Sequence, residues 1–277
     1  MDRALEGRRI GLLGGGAMSE ALVAGLVAAG VSGDEILVSD PLAERREELA
    51  RRFGIRSSEA NDAVAARSEL VVLAVKPGLV ERVLRDLGGP TKADLARPLW
   101  VSIAAGIPLA RIAASLPATA RVVRAMPNTP ALVREGATAW VAGAGCGAAD
   151  RALARALFET IGAAWECPSE DLLDAVTGLS GSGPAYVFVF LEALSDAGVR
   201  MGLPRDAANL LARQTVLGAA RLVQETGRHP AELKDRVTSP GGTTIAGLER
   251  LEACGLRAAV HEAVAAATAR ARELGRG

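Results

Sequence analysis

The sequence has 277 residues, and at the usual size of about 150 residues per domain this length predicts two domains. Its 32 Lys and Arg residues balance its 32 Asp and Glu residues, so the net charge favours neither nucleic acid nor an anionic membrane as a partner. The three cysteines lack metal-ligand spacing and there are only two histidines, so reduced thiols and no metal site are expected. The first residues do not resemble a secretion signal, which favours a cytoplasmic protein.

The first predicted element is a buried strand that passes into a helix over a glycine loop. Residues 10–13 are short and apolar, residues 14–16 are all glycine, and from Ala17 the apolar residues recur at helical spacing. The start of such a helix suits a pyrophosphate, as in the dinucleotide fingerprint G-x-G-x-x-[GA]. Ser19 stands at the third glycine position. A glycine-rich turn without function is the alternative, and the flanking strand and helix argue against it.

The second predicted strand, residues 36–38, ends where a dinucleotide fold meets the adenosine ribose. Asp40 is the acid that favours NAD there, since it accepts from the 2′-hydroxyl. Ser39, with Arg45 and Arg46 just beyond, favours instead the 2′-phosphate of NADP. Because the arginines are equally well explained as a solvated helix face, the sequence leaves the choice between the cofactors open.

Strands and helices alternate over the remainder of the first part of the chain. Further strands are predicted at residues 70–75, 99–102, 121–125, 137–142 and 164–167, with helices at 108–116 and 148–160. Three loops follow strands, at residues 76–77, 104–106 and 126–130, and they share the sheet edge at which open α/β folds bind ligands. The pattern predicts a Rossmann-like α/β domain over residues 1–167, with a doubly wound, mostly parallel sheet.

Residues 168–277 are predicted to form an all-helical domain. Its helices are expected at residues 170–178, 184–198, 204–225, 230–237, 243–253 and 256–274. The helix at 204–225 has a broad apolar surface, which an ordinary core helix would explain. Contact with a second subunit is the sharper interpretation, because six helices in so short a domain cannot all cover one another.

Two stretches of this domain, residues 179–186 and 237–244, place glycines and hydroxyls ahead of a helix. Both offer N–H groups, hydroxyls and a helix dipole to a carboxylate, although ordinary N-capping is the alternative. Reduction of a ketone needs a positioned acid, whereas a protonated imine accepts hydride without one. These stretches contain no Lys or His, and only Tyr186 could donate a proton, so addition of hydride to a C=N bond is favoured.

Five runs carry a resemblance to a known family: IGLLGGGAM, AVKP, MPNTP, SGSGPAY and VTSPGGTTIAGLE. With these runs in this order, the chain resembles the pyrroline-5-carboxylate reductases over nearly its whole length. The resemblance implies NAD(P)H-dependent reduction of L-1-pyrroline-5-carboxylate to L-proline, the last step of proline biosynthesis. It also implies a homodimer with interlocked helical domains, with assembly into a decamer as a further expectation.

The fingerprint and the resemblance together assign residues to the two ligands. The cofactor is expected at Gly14, Gly16, Ala17, Met18, Ser39, Asp40, Ala74, Lys76, Pro77 and Asn128. The substrate is expected at Ser182, Ser239, Gly241, Gly242, Thr243 and Thr244. Thr244 is the expected catalytic contact to the ring nitrogen, and the iminium proton comes from solvent or from a water that Thr244 binds. Thr244→Ala is therefore expected to lower kcat/KM more than cofactor binding.

Two other functions compete with this one. A β-hydroxyacid dehydrogenase would place a catalytic lysine four residues after a Gly-x-Gly pair, but here the pair Gly181 and Gly183 is followed by Val187. A non-catalytic NADP-sensing protein could keep the same fold, since fold does not fix function. Such a sensor would not need the loop at residues 239–244.

Overall fold

The computed structural model describes residues 4–87 and 94–276, and one mixed sheet organises the first part of these residues. The strand order is β3-β2-β1-β4-β5-β6-β7-β8. The strands are β1 Ile10–Leu13, β2 Ile36–Ser39, β3 Arg56–Ser58, β4 Leu70–Leu73, β5 Leu99–Ser102, β6 Arg121–Met126, β7 Gly136–Ala142 and β8 Gly162–Glu166. All neighbouring strands are parallel except β6 and β7, which confirms the predicted Rossmann-like, mostly parallel sheet.

Helices cover both faces of this sheet. They are α1 Ala17–Ala28, α2 Ala43–Phe53, α3 Asn61–Arg67, α4 Val80–Asp86, α5 Leu109–Ala114, α6 Ala148–Glu159 and the short α7 Leu172–Val176. One buried cluster joins the sheet to α1, α2 and α6, with Leu22, Leu49 and Phe158 among its members. Another joins the opposite face to α3, α4 and α5. Since each face is covered, the central strands β1, β4 and β5 are apolar almost throughout, as parallel strands buried on both sides require.

The described residues divide into two units. The first extends to Ser182 and also includes the C-terminal residues from Ala266, and the second is Gly183–Ala265. The boundary expected after residue 167 falls inside the first unit. The reason is local packing, because Leu173 of α7 is buried in a small cluster with residues of β7.

The second unit is built from helices alone. They are α8 Gly183–Arg200, α9 Arg205–Thr226, α10 Pro230–Arg236, α11 Thr243–Ala253 and α12 Leu256–Arg276, whose last part belongs to the first unit. The helices predicted beyond residue 182 are thus confirmed to within a few residues. Among the described residues, no helix is both long and apolar enough to span a bilayer.

Between residues 176 and 183 the structure differs from the sequence prediction. A helix over residues 170–178 and a glycine- and serine-rich loop from Leu179 were predicted, but Thr177–Gly181 forms a π-helical turn, and α8 begins at Gly183. The N–H of Ser182 donates to the carbonyl oxygen of Thr177 at 2.8 Å, closing the wide turn. The prediction of a loop was wrong because glycine and serine, although poor helix formers, are tolerated where packing sustains the helix.

Candidate active site

Three glycines follow β1 at the carboxyl edge of the sheet, next to the end of β4. Gly14 has a φ of +98°, and a Cβ atom there would lie 2.8 Å from the carbonyl oxygen of Ala74. Its N–H donates to the carbonyl oxygen of Ser39 at 2.8 Å. Gly16 is the N-cap of α1, and no side chain in the described residues caps this helix. The first N–H groups of α1, from Ala17 onward, are therefore left for an anion.

The start of α1 is fixed to the loop by Ser19. This side chain is fully buried, and its hydroxyl donates to the carbonyl oxygen of Gly14. A small residue at this position allows close packing of helix and strand, so serine serves where the fingerprint has glycine or alanine. Met18 packs partly against the core, and it contributes the N–H of the second helical position.

At the end of β2, Ser39 and Asp40 point in different directions. Ser39 is fully buried, and its hydroxyl donates to Oδ1 of Asn61 at 2.7 Å. Asp40 is half-buried, and its carboxylate accepts from the N–H of Gly15 at 2.8 Å and from that of Leu42 at 2.9 Å. The carboxylate of Asp40 therefore lies at the glycine loop, whereas the burial of Ser39 counts against the expectation that its hydroxyl contacts a cofactor.

The two arginines beyond β2 are engaged with the protein. Arg45 donates from Nε to the carbonyl oxygen of Gly15 and forms an ion pair with Glu20. The hydrogen bond that Arg45 donates to Glu20 raises the pKa of Arg45, and the same bond holds the pKa of Glu20 below its usual value. Arg46 donates to the carbonyl oxygen of Asp40 at 2.7 Å. Neither guanidinium is therefore uncommitted in the way that a dedicated 2′-phosphate ligand would be.

The end of β4 brings a cation to the same edge. The N–H of Ala74 donates to the carbonyl oxygen of Leu13 at 2.9 Å, which continues the β1–β4 ladder beyond the strands. Lys76 and Pro77 follow as exposed residues at the start of a 3-10 turn. No carboxylate in the described residues lies within ion-pair distance of Lys76, so its ammonium group is available to a ligand.

Asn128 joins two segments of the first unit. Its Nδ2 donates to the carbonyl oxygen of Ser180 at 3.0 Å, and its Oδ1 accepts from the N–H of Ala137 at 2.8 Å. The side chain is nearly buried, with 9% of the residue exposed. Both ends of the amide are thus used within the protein. The structure brings Asn128 close to the π-helical turn Thr177–Gly181, a relation that the sequence did not indicate.

The second unit holds the other expected site residues at the start of α11. Gly241 has a φ of +64°, and Gly242 is the N-cap of α11 with no capping side chain among the described residues. Thr243 and Thr244 are the first two helical residues, and Ser239 precedes them on the exposed turn.

The hydroxyls of Ser239, Thr243 and Thr244 make no hydrogen bond to any described group. Uncapped N–H groups and unused hydroxyls together form a cradle for a small anion such as a carboxylate.

Tyr186, the one proton donor that the sequence indicated in these stretches, donates to the carbonyl oxygen of Ala263 at 3.3 Å within the second unit. Among the described residues, no group of three or more His, Cys, Asp or Glu side chains could hold a metal ion.

A glycine loop between β1 and α1, an acid at the end of β2 and the 3-2-1-4-5-6 strand order define a dinucleotide-binding α/β protein with an added helical unit. A model described as "NADP oxidoreductase coenzyme F420-dependent" matches residues 9–106, and one described as "Pyrroline-5-carboxylate reductase dimerisation" matches residues 170–274. The chain belongs to the pyrroline-5-carboxylate reductase family. A protein of that name from Synechocystis is 49% identical, over 97% of this chain and 98% of its own length.

Other relatives and solved structures agree with this assignment. The pyrroline-5-carboxylate reductase of Arabidopsis thaliana is 43% identical over 97% of this chain and 96% of its own length. The structure of the Coxiella burnetii enzyme has a TM-score of 0.88 at 38% identity, covering 96% of this chain and 98% of that one. The Plasmodium falciparum enzyme, solved with NADP bound, has a TM-score of 0.86 at 30% identity, covering 98% and 99%.

Proposed function

We propose that the chain reduces L-1-pyrroline-5-carboxylate to L-proline with NADH or NADPH. The observation that carries this proposal is the family membership at 49% identity over 97% of the chain. The two uncapped helix starts support it, since one suits a pyrophosphate and the other a carboxylate. When bound, the nicotinamide supplies a hydride from C4 to the imine carbon.

The residues of the glycine loop fit a dinucleotide. Only a residue without a side chain fits at Gly14, because of its positive φ and the nearby carbonyl of Ala74. The N–H groups of Ala17 and Met18 lie at the positive end of the α1 dipole and bind the pyrophosphate in this proposal. Gly16 has open space where a Cβ would stand, which lets a phosphate approach the backbone. In this proposal Lys76 and Pro77 lie beside the nicotinamide half of the bound cofactor.

For the cofactor itself, we propose a preference for NADH. The carboxylate of Asp40 is fixed at the glycine loop by two backbone N–H donors, where it accepts from a ribose 2′-hydroxyl and repels a 2′-phosphate. Arg45 and Arg46 do not offset this repulsion, because one is paired with Glu20 and the other donates to backbone carbonyls. The burial of Ser39 also counts against a contact between its hydroxyl and a 2′-phosphate.

The start of α11 holds the substrate in this proposal. The N–H groups after Gly242 and the hydroxyls of Ser239 and Thr243 bind the carboxylate. Thr244 contacts the ring nitrogen and orients the imine carbon toward the hydride. Because a protonated imine becomes a neutral amine on accepting hydride, no side-chain acid has to donate a proton to the reduced atom. The chain therefore contributes orientation and carboxylate binding rather than acid catalysis.

Asn128 acts at a distance from the reacting atoms in this proposal. With its amide bonded to Ser180 and Ala137, Asn128 holds the turn after β6 against the π-helical segment. π-helical turns are frequent at functional sites, where they change the direction in which side chains project. We assign Asn128 the role of a positioning residue and keep Ser182 as a candidate substrate contact.

We further propose a homodimer built through the second unit. Its helix α8 exposes apolar side chains in succession, with Phe188 62% and Val189 65% exposed, and α9 exposes Leu210 and Leu211 by more than half. Such a patch is unusual on a monomer, and the matching family model is described as a dimerisation region. Association of dimers into a decamer is a further step, and a mass measurement in solution tests both.

A cytoplasmic location completes the proposal. It is supported by the three free cysteines, two of which are buried. Burial raises the pKa of the Cys146 and Cys167 thiols, so these two are unreactive rather than redox-active.

The test is oxidation of NADH and NADPH by the purified protein with L-1-pyrroline-5-carboxylate, with the six-membered cyclic imino acid in parallel. Turnover of the five-membered substrate supports the proposal, and the ratio of the two cofactor rates tests the role of Asp40. Binding of nucleotide without turnover would favour the non-catalytic sensor.

A further inference from the structure

A charged cavity lies at the edge of the sheet opposite to the glycine loop. It has a volume of about 400 Å³, and we call it the amino-edge cavity. Among the described residues, its charged lining consists of Arg8, Arg9, Arg97, Arg121, Glu69 and Asp150. These side chains come from separate parts of the sequence that the sheet assembles.

The strand register explains why these residues meet. Ile10, Leu70, Leu99 and Arg121 stand side by side on the neighbouring strands β1, β4, β5 and β6. The residues just before these positions are therefore adjacent at the amino ends of the strands. The glycine loop follows Leu13, about 10 Å further along β1 at the usual rise of a parallel strand. The cavity is thus separate from the proposed cofactor site.

Two of the four guanidinium groups are neutralised within the protein. Arg8 donates to Oε1 of Glu69 at 2.9 Å, and Arg121 donates to Oδ1 of Asp150 at 2.7 Å. Burial raises the pKa of Glu69, but the hydrogen bonds donated by the backbone N–H of Arg9 and by the side chain of Arg8 lower it by more, so the net shift of the pKa is downward. The carboxylate is thereby kept ionised.

The other two guanidinium groups are not neutralised. Arg9 reaches the already paired Glu69 only at 3.7 Å, and its side chain is 58% exposed. Arg97 donates to the carbonyl oxygens of Ala66 and Ser68, and no carboxylate in the described residues pairs with it. The described residues that line the cavity therefore carry an excess of two positive charges, in a chain whose acidic and basic residues balance.

We propose that the amino-edge cavity binds a small oxyanion with two or more negative charges, of the phosphate or pyrophosphate type. Each guanidinium offers five N–H donors in a planar fork, of which the protein uses only some here. A bound oxyanion would accept from several forks at once and relieve the repulsion between the arginines. The source of the anion is either free inorganic phosphate compounds or a phosphorylated metabolite, because both present the same group.

Binding is tested by calorimetric titration of the full chain with inorganic pyrophosphate, in the presence of saturating NAD⁺ so that the glycine loop is filled. Ribose 5-phosphate in a parallel titration separates a phosphorylated metabolite from a free inorganic anion. We expect one pyrophosphate per chain, with affinity that falls as salt is raised. Arg9→Gln should weaken binding about tenfold, because a charge-assisted hydrogen bond is lost, and Arg9→Glu should abolish it.

Arg82→Gln is the matched control, since Arg82 is 77% exposed on α4, does not line the cavity and contacts Asp86 only at 3.7 Å. Its pyrophosphate affinity should equal that of the wild type. Arg8→Gln provides a second variant should Arg9→Gln change the unfolding temperature. The proposal is overturned if pyrophosphate and ribose 5-phosphate both fail to saturate, if Arg9→Gln binds as tightly as Arg82→Gln, or if NAD⁺ abolishes binding.

Discussion

Replacing Asp40 by asparagine should shift the cofactor preference toward NADPH while keeping the shape of the side chain. Two unit charges about 5 Å apart interact by about 3 kcal/mol at an effective dielectric constant of about 20. Asp40 is only half-buried, so solvent and salt screen this repulsion to about 1–2 kcal/mol. At about 1.4 kcal/mol for each factor of ten, the ratio of kcat/KM for NADPH to that for NADH should rise about 5- to 30-fold.

The ratio separates the charge effect from damage to the loop. The asparagine keeps one carbonyl oxygen, so one of the two hydrogen bonds from Gly15 and Leu42 is lost, at a cost of about 1–2 kcal/mol in folding free energy. That loss affects both cofactors alike and cancels in the ratio.

The assay is initial-rate oxidation of each cofactor with L-1-pyrroline-5-carboxylate at low salt. Asp34→Asn is the control, because Asp34 is 75% exposed before β2 and should leave the ratio unchanged. An unchanged ratio in Asp40→Asn, or a wild type that already prefers NADPH, would refute the reasoning.

Three further predictions concern single residues. Gly14→Ala should lower the free energy of unfolding by about 2–4 kcal/mol in urea titration, because Gly14 has a positive φ and a Cβ there would meet the carbonyl of Ala74. Gly16→Ala should instead weaken cofactor binding with little loss of stability, since a Cβ there has open space. Thr244→Ala should lower kcat/KM for the imine about 10- to 100-fold and leave cofactor affinity nearly unchanged, and Thr244→Ser should restore much of the rate. An equal loss of kcat/KM and of cofactor affinity would contradict the assigned role. Asn128→Asp places a carboxylate against the Ser180 carbonyl, so kcat should fall and the unfolding temperature should drop, while a selective loss of cofactor affinity would instead make Asn128 a ligand.

Elements with a strong apolar pattern could be predicted from the sequence, and short polar ones could not. Residues 10–13 and 99–102 were expected as strands with the bounds that the structure gives them. The strand Arg56–Ser58 was missed because three exposed or half-exposed polar residues at a sheet edge carry no hydrophobic signal. The helix Val80–Asp86 was also missed, since two turns are too short for the helical period to stand out.

For the candidate site, the sequence indicated which loops and residues to consider, but it did not indicate where their side chains point. Strand β2 is buried on both faces, so no alternation of polar residues shows that Ser39 points inward and Asp40 toward the glycine loop. The roles of Arg45 and Asn128 depend on partners 25 or more residues away in the sequence, such as Glu20 and Ser180. Such contacts follow from the tertiary structure, and a single sequence does not reveal them.

Helices α1, α6 and α11 each have a glycine N-cap, and they differ in the third helical residue. In α6 that residue is Asp150, whose carboxylate accepts from the N–H of the glycine N-cap and places a negative charge at the helix start. In α1 it is Ser19, and in α11 it is Ile245, so neither helix has an acid at its third position. The one acid in the first turn of α1, Glu20, is paired with Arg45.

An acid at the third position stabilises an isolated helix start by about 0.3–1 kcal/mol, but it would repel a bound anion. Its absence from the starts of α1 and α11, the helices proposed to bind pyrophosphate and carboxylate, leaves the dipole and the N–H groups to the ligands. At these two helix starts we therefore expect the bound pyrophosphate and carboxylate, rather than an acidic side chain at the third position, to stabilise the free N–H groups.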